Sequence, residues 1–210
     1  MYHKEYEKNV LVTESKDILS IKNRVDDKMI RLLHASLGMS SELAELVDAI
    51  VDPKGGNIDW VNVMEESGDL TWYLAVAVNA LGLDPAITSS CEEAAREYAK
   101  ISPLTLPRLS KTGALSAIDT TVWAVGNYSD LLKKALFYGK ELDMVAMETT
   151  VKQIALGIVG ICHVSSYSIE DARETNIKKL RARYGEKFTE AAAIERNLEK
   201  ERSVLEEKND

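Results

Sequence analysis

Two pairs of carboxylates are spaced to do chemistry together. Glu42 and Glu45 lie three apart, as do Glu66 and Asp69, a spacing that projects both members of a pair from one face of an α-helix. Their neighbours on the same stripes are small or apolar: Ala35, Gly38, Met39, Leu46 and Ala49 beside Glu42, and Val63, Leu70, Tyr73 and Val76 beside Glu66 and Asp69. Acids on such faces need a positive partner, because two carboxylates about 4 Å apart repel by roughly 4 kcal/mol even at a surface-like dielectric. No Lys or Arg occurs from Gly55 to Ala95, so a hard divalent cation, Mg²⁺ or Mn²⁺, meets that need better than a side chain. A di-iron carboxylate centre is disfavoured, since it takes Glu-x-x-His and none of His3, His34 and His163 has a glutamate three residues before it. The competing reading leaves both pairs as solvated acids on ordinary helix surfaces.

Helices must position these groups. Apolar residues recur at helical spacing almost throughout, and period-two alternation is nearly absent, which predicts an all-α helical bundle. The pattern predicts a short helix from Thr13 to Arg24, capped by Thr13 or Ser15, and long helices from Asp27 to Val51 and Ile58 to Leu83. A third helix runs on to Ile101. Pro53, Gly55 and Gly56 break the first long helix from the second. Further helices are expected at Ala114 to Phe137, Leu142 to Ser165 and Ile169 to Tyr184. A charged helix over Glu190 to Glu206, read as a solvated face, finishes the chain.

The 210 residues are 45% hydrophobic with few prolines, enough to build a core. Twenty-six basic against 34 acidic residues leave a formal charge of −8, which repels a nucleic-acid backbone, so no nucleic-acid partner is expected. Cys91 and Cys162 stand far apart with no metal-ligand spacing, as reduced core thiols would. Charges interrupt the first ten residues, and the longest apolar stretch, around Leu74 to Leu83, is too short for a span. A cytoplasmic chain with no membrane partner is the expectation.

The helical pattern also repeats. Setting Asp48 on Asp130 and Asp59 on Asp143 superimposes the two pairs of long helices, with the turn two residues longer in the second copy. This divides the chain into a first repeat over 1–101 carrying the acidic motif, a linker over 102–113, a second repeat over 114–188 carrying a basic tail, and an extension over 189–210.

The run Ser41-Glu42-Leu43-Ala44-Glu45-Leu46-Val47-Asp48, with Glu65-Glu66-Ser67-Gly68-Asp69-Leu70-Thr71-Trp72-Tyr73-Leu74, resembles the Glu-x-x-Glu…Glu-x-x-Asp signature of the MazG-like all-α nucleoside triphosphate pyrophosphohydrolases. The stretches Asp130 to Lys140 and Asn176 to Gly185 look like further parts of that family, and the matching pieces cover most of Leu32 to Phe188. The resemblance implies Mg²⁺-dependent cleavage of a nucleoside triphosphate to the monophosphate and pyrophosphate. By that resemblance Glu42, Glu45, Glu66 and Asp69 hold the metal, one glutamate orienting the attacking water, while Asn176, Lys179 and Arg183 lie near the phosphates.

The two copies depart from the pattern in opposite ways. The second has Ala124, Asn127, Thr150 and Gln153 where the first has its four acids, and the first has Glu92 and Ala95 where the second has Asn176 and Lys179. A fused pseudo-dimer with one site per chain accounts for both losses, and a homodimer of the fused pair is compatible with it. Trp60, Trp72, Tyr73 and Trp123 are candidates for stacking on a base, and equally for the core. The alternative is a non-catalytic nucleotide-sequestering protein or a helical scaffold derived from the same family. Hydrolysis of phosphoribosyl-ATP is the rival within the superfamily.

Overall fold

The computed structural model describes residues 3–51, 56–90, 92–93, 110–195 and 197–206, and among them it contains helices and no strands. Residues 52–55, where the sequence predicts a helix break, Cys91, and residues 94–109 with Ala95, Pro103 and Pro107 lie outside the described residues, so most of the expected third helix and linker does too.

Four long helices build the bundle. Asp27–Val51 (α3) and Trp60–Leu81 (α4) form one antiparallel hairpin, and Lys111–Tyr138 (α5) and Met144–Ser165 (α6) form another. α3 packs on α5 and α4 on α6, which closes a four-helix core around Leu32, Met39, Leu46, Leu70, Tyr128, Ile154 and Ile158, all almost inaccessible to water. Each such side chain contributes about 1.5–3 kcal/mol on burial. α6 is long and apolar enough to cross a membrane, longer than the Leu74 to Leu83 run apparent from sequence, but half of its apolar window is buried inside the bundle. Cys162, on α6, is a free buried thiol, and burial pushes its pKa up to about 12.

The hairpins share a register. Asp59 and Asp143 both N-cap their helices, accepting from Asn62 N at 3.2 Å and Ala146 N at 2.9 Å. Eighty-four residues apart, Gly82 and Ser166 both end their helices in the left-handed region, at φ 69° and 62°. Burial follows the same spacing: Val63 and Met147, Glu66 and Thr150, Leu70 and Ile154, Leu74 and Ile158, and Val78 and Cys162 are all buried.

Two shorter segments differ from expectation. In place of one helix from Thr13 to Arg24, a helix over His3–Thr13 (α1) ends at Thr13 and a second, Ile18–Asn23 (α2), follows after residues 14–17. Thr13 closes the first by donating to the Val10 carbonyl at 2.8 Å, and Asp17 caps the second by accepting from Ser20 N at 3.1 Å. The Glu190 to Glu206 stretch also divides, into Glu190–Ile194 (α8) and Leu198–Glu206 (α9), because Asn197 starts a new helix by accepting from Lys200 N at 2.9 Å. Its charges are not simply solvated: Glu201 and Leu205 are buried where α9 packs on the helix Ile169–Tyr184 (α7). The expected linker is shorter as well, since Ser110 caps α5 and residues 111–113 belong to that helix.

α7 starts with a capping box in which Ser168 and Asp171 satisfy each other's backbone, and it lies across α4. Gly68 permits the approach. A Cβ there would stand 2.6 Å from the Ala172 carbonyl oxygen and 2.9 Å from the Asn176 Cβ, and the first of these is backbone that cannot rotate away. Gly68→Ala should therefore destabilise the protein by about 1–3 kcal/mol, measured by urea denaturation, and should lift α7 off α4.

Candidate functional site

The α3 and α4 faces that meet carry the predicted acids. Glu42 and Glu45 from α3 and Glu66 from α4 each offer an oxygen within 4.8 Å of the others. Their exposure is graded: Glu45 is open to solvent, Glu42 is half-buried and Glu66 is 6% exposed. Burial, the hydrogen bond with Glu42 and the charges of Glu65, Asp69 and Glu42 push the Glu66 carboxyl up to about 10, so it is neutral at pH 7. Burial also raises Glu42, but accepting that proton opposes the rise, as does the Ser41 hydroxyl donating to it at 3.2 Å.

Asp69, the fourth predicted ligand, faces another partner. Its Oδ1 accepts from Asn176 Nδ2 and its Oδ2 from Lys179 Nζ, both from α7. The same ammonium donates to Glu65 Oε1 at 3.0 Å and is 1% exposed. Burial alone would lower the Lys179 pKa, but Asp69 and Glu65 more than offset it and the pKa is raised. Asn176 and Lys179, expected near phosphates, are thus turned onto carboxylates. Arg183 is paired as well, with its Nε donating to Glu201 Oε1 at 2.9 Å and its Nη2 to Oε2. Glu92, in register with Asn176, takes no part in the acidic group and pairs with Arg173.

A cleft of about 550 Å³ opens over these groups. Two cations on its rim, Arg181 and Lys187, are exposed and have no carboxylate partner among the described residues. Aromatic rings form its walls. Trp72 and Tyr73 stand edge-to-face at 5.0 Å with His34 against both, and Tyr184 and Phe188, which also line the cleft, pack at 5.1 Å. Of the four aromatic candidates for stacking, Trp72 and Tyr73 reach the cleft. Trp60 packs on the core, and Trp123 is exposed on α5 away from the cleft.

A hard oxygen-binding cation fits the Glu42, Glu45 and Glu66 donor set, which contains no nitrogen or sulfur, and its binding would displace the Glu66 proton. The second hairpin offers no such set, since Ala124, Asn127, Thr150 and Gln153 stand in the corresponding register. Sequence reasoning missed Glu65, Arg181, Lys187 and Glu201. Glu65 was accessible to it: four residues before Asp69, it shares that helical face. Arg181 and Lys187 carry no local signal, because only the fold of α7 and the segment after it turns them to the cleft.

The Glu66 proton has a measurable consequence. The folded pKa lies above the unfolded value, so the folded state holds an extra proton between about 4.5 and about 10. Its stabilising contribution is complete below that window and is lost as pH rises through it. In chelator-treated protein, stability should fall between about pH 5.5 and about pH 8.5, by up to ~1.4 kcal/mol per pH unit, and Glu66→Gln should flatten the slope in thermal melts. Comparisons of the chain with protein-family models, with curated proteins and with solved structures found no match.

Proposed function

We propose that the protein is a Mg²⁺-dependent nucleoside triphosphate pyrophosphohydrolase that cleaves an NTP or dNTP to the monophosphate and pyrophosphate, with Mn²⁺ able to substitute for Mg²⁺. We read its two hairpins as a fused pair of MazG-like units, of which only the first keeps the acids. The observation that carries this reading is the convergence of Glu42, Glu45 and Glu66 in a cleft whose rim carries two cations with no carboxylate partner among the described residues. The shared capping and burial register of the hairpins supports the fusion.

The division of labour follows from position. Glu42, Glu45 and Glu66 would hold the cation, which when bound supplies charge neutralisation at the phosphoryl oxygens and acidification of water. Glu45, the most open of the three, is placed to orient the attacking water and take its proton. Arg181 and Lys187 draw the polyphosphate tail towards the acids, which would otherwise repel it. Trp72, Tyr73, Tyr184 and Phe188, which line the cleft, offer ring faces and edges to a base. Water forms the new bond to phosphorus, the bridging P–O bond breaks, and pyrophosphate leaves.

The decisive measurement is pyrophosphate release from a panel of ribo- and deoxynucleoside triphosphates, with and without Mg²⁺. Release should require the metal. Glu66→Ala should lower kcat by about 10²-fold or more while circular dichroism stays helical. The double variant Arg181→Ala/Lys187→Ala should mainly raise KM, about tenfold, because its charges meet the substrate before and during reaction alike. Tight binding with no release would identify a sequestering protein instead. Release from phosphoribosyl-ATP alone would move the activity to that substrate, and neither binding nor release would leave a scaffold.

A further inference from the structure

We infer that Lys179 serves as a built-in second cation, so that the site takes one divalent ion per chain and Asp69 anchors the lysine instead of ligating metal. This deepens the proposed function and rests on its metal reading. Five acids meet here: Glu42, Glu45, Glu65, Glu66 and Asp69. They fall into two sets. The oxygens of Glu42, Glu45 and Glu66 approach one another, and no Lys or Arg among the described residues forms an ion pair with them. Glu65 and Asp69 close instead on the Lys179 ammonium, which is sealed from solvent.

Both oxygens of Asp69 are already engaged, Oδ1 by the Asn176 amide and Oδ2 by Lys179. Drawing Asp69 onto a metal would set the ion against a buried ammonium for the same carboxylate, which weakens a buried ion pair, and Asp69 is not part of the group that Glu42, Glu45 and Glu66 form. An ammonium so placed does electrostatically what a second divalent ion would do for this pair, and its charge is already in position before any ligand arrives. The cap that carries Lys179, α7, therefore acts as part of the metal site through Asp69 and Glu65, as a positioning element.

The test is a Mn²⁺ titration of the full chain, free Mn²⁺ being read by electron paramagnetic resonance. Wild type should bind one Mn²⁺ per chain. Asp69→Asn should keep that stoichiometry with affinity within about threefold, while Glu45→Gln should weaken binding by about tenfold or more. Lys179→Met, checked for helical content, should gain a second, weaker Mn²⁺ that Lys179→Arg does not. Two ions per wild-type chain, or an Asp69→Asn loss as large as that of Glu45→Gln, would overturn the inference and leave the metal reading intact. No bound Mn²⁺ in wild type would overturn both. If Lys179→Met does not fold, the wild-type count and Asp69→Asn still decide.

Discussion

The ammonium of Lys179, enclosed between Asp69 and Glu65, is the contact on which the arrangement of the site depends. A lysine so completely removed from water is tolerated only when its charge is matched and its protons are accepted, and both carboxylates come from the neighbouring helix. The interaction therefore fixes where α7 crosses α4. Gly68 supplies the closeness, and the Asn176 amide holds the other oxygen of Asp69. Further out, Arg183 on α7 pairs with buried Glu201, and Arg202 reaches Asp59 and Asn62 at the start of α4, so α9 fastens the same junction from its far end.

That junction separates the acids by electrostatic state. Glu66, deep between α3 and α4, holds a proton that it shares with Glu42, whereas Glu45 stands at the water side. Asp69 and Glu65 instead close on the Lys179 ammonium. A cluster of five acids is thereby made compatible with a folded core: Glu66 is neutral and hydrogen-bonded to the half-buried Glu42, Glu65 and Asp69 pair with Lys179, and Glu45 lies towards solvent. The proton on Glu66 marks the position that a divalent cation would take over, since a carboxyl must lose its proton to become a ligand.

The hairpins are alike in mechanics and unlike in chemistry. Matching aspartate caps, left-handed C-caps and burial spacing give them the same helical register. The positions that carry acids in the first hold Ala124, Asn127, Thr150 and Gln153 in the second. Thr150 is buried as Glu66 is, which shows that the position is structural in both hairpins and ionisable in only one. The cations meanwhile come from α7 and the segment after it, so the cleft is composite.

The helices were legible in the sequence because each long one has an apolar stripe of period 3.6 and a recognisable stop: Asp27–Val51 and Ile169–Tyr184 fall at the expected residues. The convergence of Glu42, Glu45 and Glu66 was legible for the same reason, since acids interrupting a buried stripe must meet across a hairpin. Periodicity acts within one helix and says nothing of which distant helix covers it. Hence the sequence offered Asn176, Lys179 and Arg183 as parts of a basic tail but not what that tail meets. Only packing turned Asn176 and Lys179 onto Asp69, gave Arg183 to Glu201, and left Arg181 and Lys187 to face the cleft. The local pattern determines which groups are available, and the tertiary fold, by choosing which charges are buried together, decides which of them remain free to bind.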